Sequence, residues 1–269
     1  QDPRDRLATI CVAPLMTCSA RLPVYTLLIA AFIPARQVWG GFNLQGLVLF
    51  GLYAAGIVSA LLVSWLLRRT RRDRAEHPLL LELPSYRLPN WRSVAMGLLE
   101  RGRIFLQRVG GIILALTVLL WFLSSFPAPP QGATGAPIDY SFAGMLGHAI
   151  QPLFAPLGFN WQICIALIPA MAAREVVVAA LGTVYALSGN DEALSTALAP
   201  MIQQQWSLAT GLSLLVWFIY APHCLSTLAT IRRETGSWRT GGVMTVYLFG
   251  LAYLASLLMY QLAVALGWG

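Results

Sequence analysis

Residues 44–67 read LQGLVLFGLYAAGIVSALLVSWLL, without one charged side chain, and are closed by Arg68-Arg69. In lipid the backbone N–H and C=O groups have only one another as partners, so an apolar stretch of about 20 residues crosses as a helix. The charge-free run around this stretch covers 37–67, and four more follow at 109–138, 140–173, 193–231 and 240–269. Of the 269 residues, 57% are hydrophobic and 11% charged, and the mean hydropathy is +0.66. Soluble domains carry about 25% charged residues, and one or two soluble cores could not hide this much apolar surface. The reading is an all-α fold, a polytopic transmembrane helical bundle.

The 18 basic residues are all Arg. The absence of Lys excludes a Schiff-base lysine or a phosphate-loop lysine within this stretch of chain. Ten of the Arg fall in 68–108, against Asp73, Glu76, Glu82 and Glu100, and the remainder of the chain is close to neutral. Arg concentrated between spans marks a cytoplasmic loop in contact with anionic lipid, and argues against nucleic-acid binding. Within it, Pro78, Pro84 and Pro89 precede a short interfacial helix at 91–104. Cys11, Cys18, Cys164 and Cys224 form no CxxC pair and lie in or beside apolar segments, so they read as free thiols. No signal peptide is visible, and the abrupt start before an apolar stretch reads as a piece of a longer protein.

The first membrane element is broken. Residues 7–20 and 22–35 are uncharged, and Arg21 separates them between Pro14 and Pro23, each of which removes an intrahelical hydrogen bond. Neither half is long enough to span alone, which suits a broken helix or a re-entrant pair. A second ordinary span is expected at 106–126, followed by an opposite-side loop at 127–132. Residues 142–158 contain Pro152 and Pro156 and suit a dip rather than a crossing. Residues 161–187 are interrupted at Arg174-Glu175, just after Pro169. Spans at 208–230 and 241–266 flank a polar loop at 232–239. That loop is cytoplasmic if 142–158 crosses and external if it does not. Pro14-Leu15-Met16 and Pro169-Ala170-Met171, each followed shortly by Ala-Arg, form a weak repeat at the two breaks. Paired broken helices point to a midplane substrate site.

The stretch from Ala13 to Tyr25, with its Pro14-Leu15-Met16-Thr17-Cys18-Ser19-Ala20-Arg21 core, strongly resembles the first Gate motif of ferrous iron transport protein B. Ala172-Ala173-Arg174-Glu175-Val176-Val177-Val178 resembles the second. The run from Tyr220 to Ala229 and that from Arg232 to Trp238 resemble the C-terminal region of that family. The resemblance implies one transmembrane transport domain over 1–269, with a first Gate at about 7–36, a second at about 161–187, and C-terminal spans in 208–269. It implies Fe²⁺ uptake across a bacterial inner membrane, with Fe²⁺ as the transported substrate rather than a tightly bound cofactor. It also implies an N-terminal GTP-binding domain as a partner in cis or as a separate chain. That domain's GxxxxGK[ST] motif is absent here, so no enzyme activity is expected of these residues themselves. Small accessory cytoplasmic proteins and a homo-oligomer are compatible with this reading, and the Arg-rich loop offers a docking surface for the missing domain.

Fe²⁺ accepts thiolate, imidazole and carboxylate ligands. Cys18 at the first break is the leading metal contact, the competing reading being a small buried hydrophobe. Cys224 shares both readings, but His223 separates it from Pro222, a departure from the family pattern that makes a metal role safer for Cys18. Glu175 is a charged group at membrane depth, a ligand or the partner of an Arg. Met16 and Met171 occupy matching places and offer thioethers, though a helical Met is more often packing. His223 is a further candidate, but its neighbour Cys224 points about 100° away on a helix. Arg21 and Arg174 cannot bind a cation; they suit pairing with Glu175 or capping of broken-helix carbonyls. A Gate-type carrier of nucleosides or other organic solutes is the rival within transport, favoured by Asn, Gln, Ser and aromatics at the breaks. The breaks instead offer Cys, Met, Arg and Glu. A membrane anchor or signalling partner that transports nothing is the rival from another class.

Overall fold

The computed structural model describes residues 3–38, 41–69, 89–127, 137–171, 174, 176–185, 191–222 and 225–268. Helix α1 spans Pro3–Val12 and α2 Leu22–Phe32. A two-residue antiparallel ribbon pairs β1 (Gln37–Val38) with β2 (Phe42–Asn43). Then follow α3 (Leu44–Arg69), α4 (Trp91–Ser125), α5 (Phe142–Phe154), α6 (Trp161–Ala170) and α7 (Val176–Val184). The chain continues through α8 (Asp191–Gln205), α9 (Leu208–Tyr220), α10 (Leu225–Thr235) and α11 (Trp238–Ala265).

Side-chain caps set several helix starts. The Asn90 side chain accepts from Arg92 N at α4, Ser141 from Gly144 N at α5, Asn160 from Ile163 N at α6, and Ser207 from Thr210 N at α9. Each satisfies a first-turn amide that would otherwise lack a partner. Between α5 and α6, Gly158 turns the chain with φ +77°. Among the described residues, three stretches are long and apolar enough to cross a membrane: Ala8–Phe32, Leu44–Leu67 and Trp238–Ala265. Residues 142–157 and 161–170 pass the same test only as a pair, bent by 100°.

The interior is apolar, as in a soluble protein, but the outer faces are apolar too. Helices α9 and α11 share the most extensive contact. Tyr25, Leu28, Ile163, Leu181, Trp217 and Phe218 meet in a buried core drawn from α2, α6, α7 and α9. The Trp217 ring meets Phe154 and Phe159 edge-on at 5.4 and 5.9 Å, the geometry aromatic quadrupoles favour. Large apolar side chains such as Phe50, Leu61, Leu114, Val246 and Leu258 face outward from α3, α4 and α11. In water such faces would drive aggregation; in a bilayer they are solvated by acyl chains.

The elements differ from the sequence reading in three places. The interfacial helix at 91–104 and the span at 106–126 are one helix, α4, of 35 residues. No proline interrupts it, so the backbone ladder runs on through the charged turns. At 1.5 Å per residue it is about 52 Å long, well beyond a hydrocarbon core of about 30 Å. Of the Arg-rich segment 68–108, therefore, 91–108 is helix, and 70–88 lies outside the described residues. The expected span at 208–230 is divided: α9 stops at Tyr220, and α10 begins at Leu225 beyond Pro222. The polar loop at 232–239 shrinks to a turn at Gly236-Ser237, its arginines lying in the adjoining ends of α10 and α11.

Candidate functional site

Pro14 has no backbone N–H to donate, and the helix that begins with α1 tightens into a 3₁₀ turn at Ala13–Leu15 and stops. Met16 and Cys18 are extended, with ψ of 134° and 162°. A second 3₁₀ turn, Ser19–Arg21, leads into α2, where Pro23 falls in the first turn and costs no hydrogen bond. Gly56 of α3 lies under this break. A Cβ there would stand 3.1 Å from Thr17 Cγ2 and 3.4 Å from the Leu15 carbonyl oxygen, so the glycine lets α3 pack close without displacing the Thr17 side chain. The second break follows the same logic. Helix α6 contains Pro169 and ends at Ala170, Arg174 lies in a turn, and α7 resumes at Val176.

An interrupted helix leaves carbonyls without their usual donors, and the two arginines fill that need. Arg21, fully buried, donates from Nη2 to the Pro14 carbonyl oxygen at 3.3 Å. Arg174, 7% exposed, donates from Nη2 to the Ala221 carbonyl oxygen at 3.1 Å and from Nη1 to Cys18 Sγ at 3.4 Å. Ala221 follows α9 directly, and Pro222 behind it breaks the helix a third time. One guanidinium therefore ties together the first break, the second break and the end of α9, joining residues 156 positions apart. Beside this junction, Ser59 Oγ and Tyr220 Oη lie 2.7 Å apart and fasten α3 to α9.

The candidate residues are distributed unevenly around the junction. Cys18 is an exposed free thiol in contact with Arg174. Met16 is 58% exposed and Met171 42%, so the matching methionines stand at the surface. Glu175, His223 and Cys224 lie outside the described residues. Among the described residues, no three His, Cys, Asp or Glu side chains cluster closely enough to hold a metal ion. Sequence reasoning named the two arginines but not the Ala221 carbonyl that Arg174 reaches. The signal for it was Pro222, which sits within an otherwise unbroken apolar run.

A family model described as ferrous iron transport protein B C terminus matches residues 49–101. A second, named Gate and described as nucleoside recognition, matches residues 106–238. The Fe(2+) transporter FeoB of Leptospira biflexa serovar Patoc is 37% identical over 272 residues, an alignment covering 98% of this chain and 39% of the relative. That of Leptospira interrogans serovar copenhageni is 35% identical, over 96% of this chain and 39% of the relative. This chain belongs to the FeoB family. A Porphyromonas gingivalis relative, an Fe(2+) transport protein A/FeoB fusion protein, is 33% identical over 97% of this chain and 35% of its own length. The chain thus spans about two-fifths of the length of the FeoB relatives it matches and corresponds to their membrane region. No solved structure matches it. The Gate match includes Arg174 and Ala221, whereas Cys18 precedes both matched regions.

Proposed function

We propose that this chain is the permease part of an Fe²⁺ uptake protein in a bacterial inner membrane. A GTP-binding domain carried elsewhere in the protein regulates it. The observation that carries the reading is the Arg174 junction, where three interrupted helices meet at a thiol. Interrupted helices expose carbonyl oxygens at membrane depth, and carbonyl oxygen and thiolate are both donors for Fe²⁺. The Arg174 guanidinium competes with the metal for Cys18, because a sulfur that ligates Fe²⁺ cannot also sit against a cation at 3.4 Å. Metal arrival at Cys18 displaces Arg174, and the same displacement loosens its hold on Ala221. Arg174 then acts as a latch that couples occupancy of the first break to the position of α9.

Glu175 and Cys224, neighbours in sequence of the latch and of Pro222, are proposed as further ligands, with His223, Met16 and Met171 behind them. The Arg-rich segment 68–108 is proposed to rest on anionic lipid and to dock the GTP-binding domain. The fusion relative in Porphyromonas gingivalis supports a small accessory protein working alongside it.

The test is uptake of radiolabelled Fe²⁺ by the intact protein in proteoliposomes, under reducing conditions, with Mn²⁺ and uridine as competitors. Saturable Fe²⁺ uptake that uridine leaves unchanged is expected. Uridine uptake, or suppression of iron uptake by uridine, would favour the organic-solute reading that the description of the Gate model raises.

A further inference from the structure

Contacts among α3, α9 and α11 fix which of their ends lie together. Gln45 near the start of α3 donates to the Ile33 carbonyl just after α2, and the Phe32 ring lies against Gly211 near the start of α9. Ser59 of α3 meets Tyr220 at the end of α9, so these two helices run parallel. Helix α11 runs the other way: the Ala209 amide donates to the Trp268 carbonyl, the Ser213 hydroxyl to the Ser256 carbonyl, and Trp217 packs on Phe249. Leu248 of α11 and Ala60 of α3 then share a buried cluster. From that level Arg69 lies nine residues further along α3 and Trp238 ten residues back along α11, about 14 and 15 Å at the helical rise. The α10–α11 turn therefore stands at the same end of the bundle as the close of α3, and at the same depth. The broken segment of α6 and α7 does not alter this, because it enters and returns. Gly158 before it accepts from Thr210 and Tyr185 after it from Trp206, both at the start of α9.

The two ends carry the same pairing. The Arg69 guanidinium lies 5.3 Å from the centre of the Trp65 ring, and that of Arg232 lies 3.7 Å over Trp238. Both rings are largely exposed. Arg233 and Arg239 are exposed beside the second pair, with Glu234 as the acid of that turn. Thr235 donates to the Ile231 carbonyl at 2.7 Å and the Gly236 amide to the Arg232 carbonyl at 2.9 Å, which holds the arginines on a fixed turn. An exposed Trp beside Arg suits the boundary of a bilayer, where the ring rests among glycerol and upper acyl groups and the cation meets phosphate. Stacking occupies the face of the guanidinium and leaves its edge N–H groups for phosphate oxygens.

We propose that Arg232, Arg233, Trp238 and Arg239 form a binding surface for the headgroup of an anionic phospholipid. The Trp65–Arg69 pair marks the same membrane boundary. The surface places residues 232–239 on the side of the Arg-rich segment 68–108 although 142–158 does not cross, since the α6–α7 segment returns as well. It is independent of what the pathway carries.

The test is native mass spectrometry of the intact protein in detergent, titrated with phosphatidylglycerol or phosphatidylcholine. Phosphatidylglycerol is expected to bind at least about tenfold more tightly, and to lose at least about tenfold in Arg232→Gln/Arg233→Gln/Arg239→Gln. Arg36→Gln, at the opposite end of the bundle beside the start of α3, should leave that affinity unchanged. Equal binding of the two lipids would overturn the proposal, as would an unchanged affinity in the triple variant or an equal loss in Arg36→Gln. Sidedness keeps the test decisive if the triple variant does not fold. In a background whose four cysteines are Ser, an impermeant maleimide should label Ser237→Cys and Pro89→Cys from the same face of sealed vesicles. Labelling from opposite faces would overturn the proposal.

Discussion

Replacing Arg174 by Gln is expected to stop Fe²⁺ uptake while leaving Fe²⁺ binding intact or tightened. Arg174 makes charge-assisted hydrogen bonds to Cys18 Sγ and to the Ala221 carbonyl oxygen. Hydrogen bonds to charged groups contribute about 1.5–3 kcal/mol each. Gln is shorter than Arg and cannot span both acceptors, so the three interrupted segments lose their common tie. If binding at the first break moves α9 through this tie, uptake by the reconstituted protein should fall by a factor of about 100 or more. Binding behaves differently, because loss of a cation from the thiol removes a competitor for the metal. In a background whose Cys11, Cys164 and Cys224 are Ser, maleimide labelling of Cys18 should also become several-fold faster. Unchanged uptake in Arg174→Gln would show that the tie is structural decoration. Loss of binding together with uptake would show that Arg174 shapes the metal site and does not latch it.

The second large effect lies at the bend between α5 and α6. Gly158 has φ +77° and lies under the Tyr260 ring of α11, with which an added Cβ would collide. Gly158→Ala therefore meets two separate costs. A non-glycine residue in the left-handed region costs about 1–3 kcal/mol, and overpacking a tight contact costs about 1–3 kcal/mol more. A clear fall in the thermal unfolding midpoint of the detergent-solubilised protein is expected, with loss of the monodisperse form in the extreme. Adding Tyr260→Ala to the variant removes the steric cost alone and should recover part of the fall. Complete recovery would assign the whole effect to packing and none to the backbone.

The class of fold was legible because it rests on composition. A run such as 44–67 has no stable alternative to a membrane helix, and α3 covers it. The first break was legible because Pro14 and Pro23 bracket a charge. The division of 208–230 at Pro222 was missed although the proline is plain, because the surrounding residues are apolar on both sides and hydropathy is blind to a turn. The opposite error joined composition to geometry at α4, where the charge change near Arg103 looked like a helix boundary. Charge does not break a helix, and without a proline the ladder continues. Least legible was the meeting of Cys18, Arg174 and Ala221. Residues 156 apart in sequence are brought together by the packing of four helices. A local pattern can suggest that an arginine caps a freed carbonyl but cannot say which.

The central claim is that the Cys18 thiol at the junction receives the metal. Anaerobic equilibrium binding of Fe²⁺ to the intact protein in detergent, wild type beside Cys18→Ser, tests it most directly. Serine keeps the size of the side chain and replaces the sulfur with a weaker donor. Saturable binding that weakens at least about tenfold in Cys18→Ser is the predicted result. Equal affinity in the two proteins would contradict the account and place the metal path elsewhere.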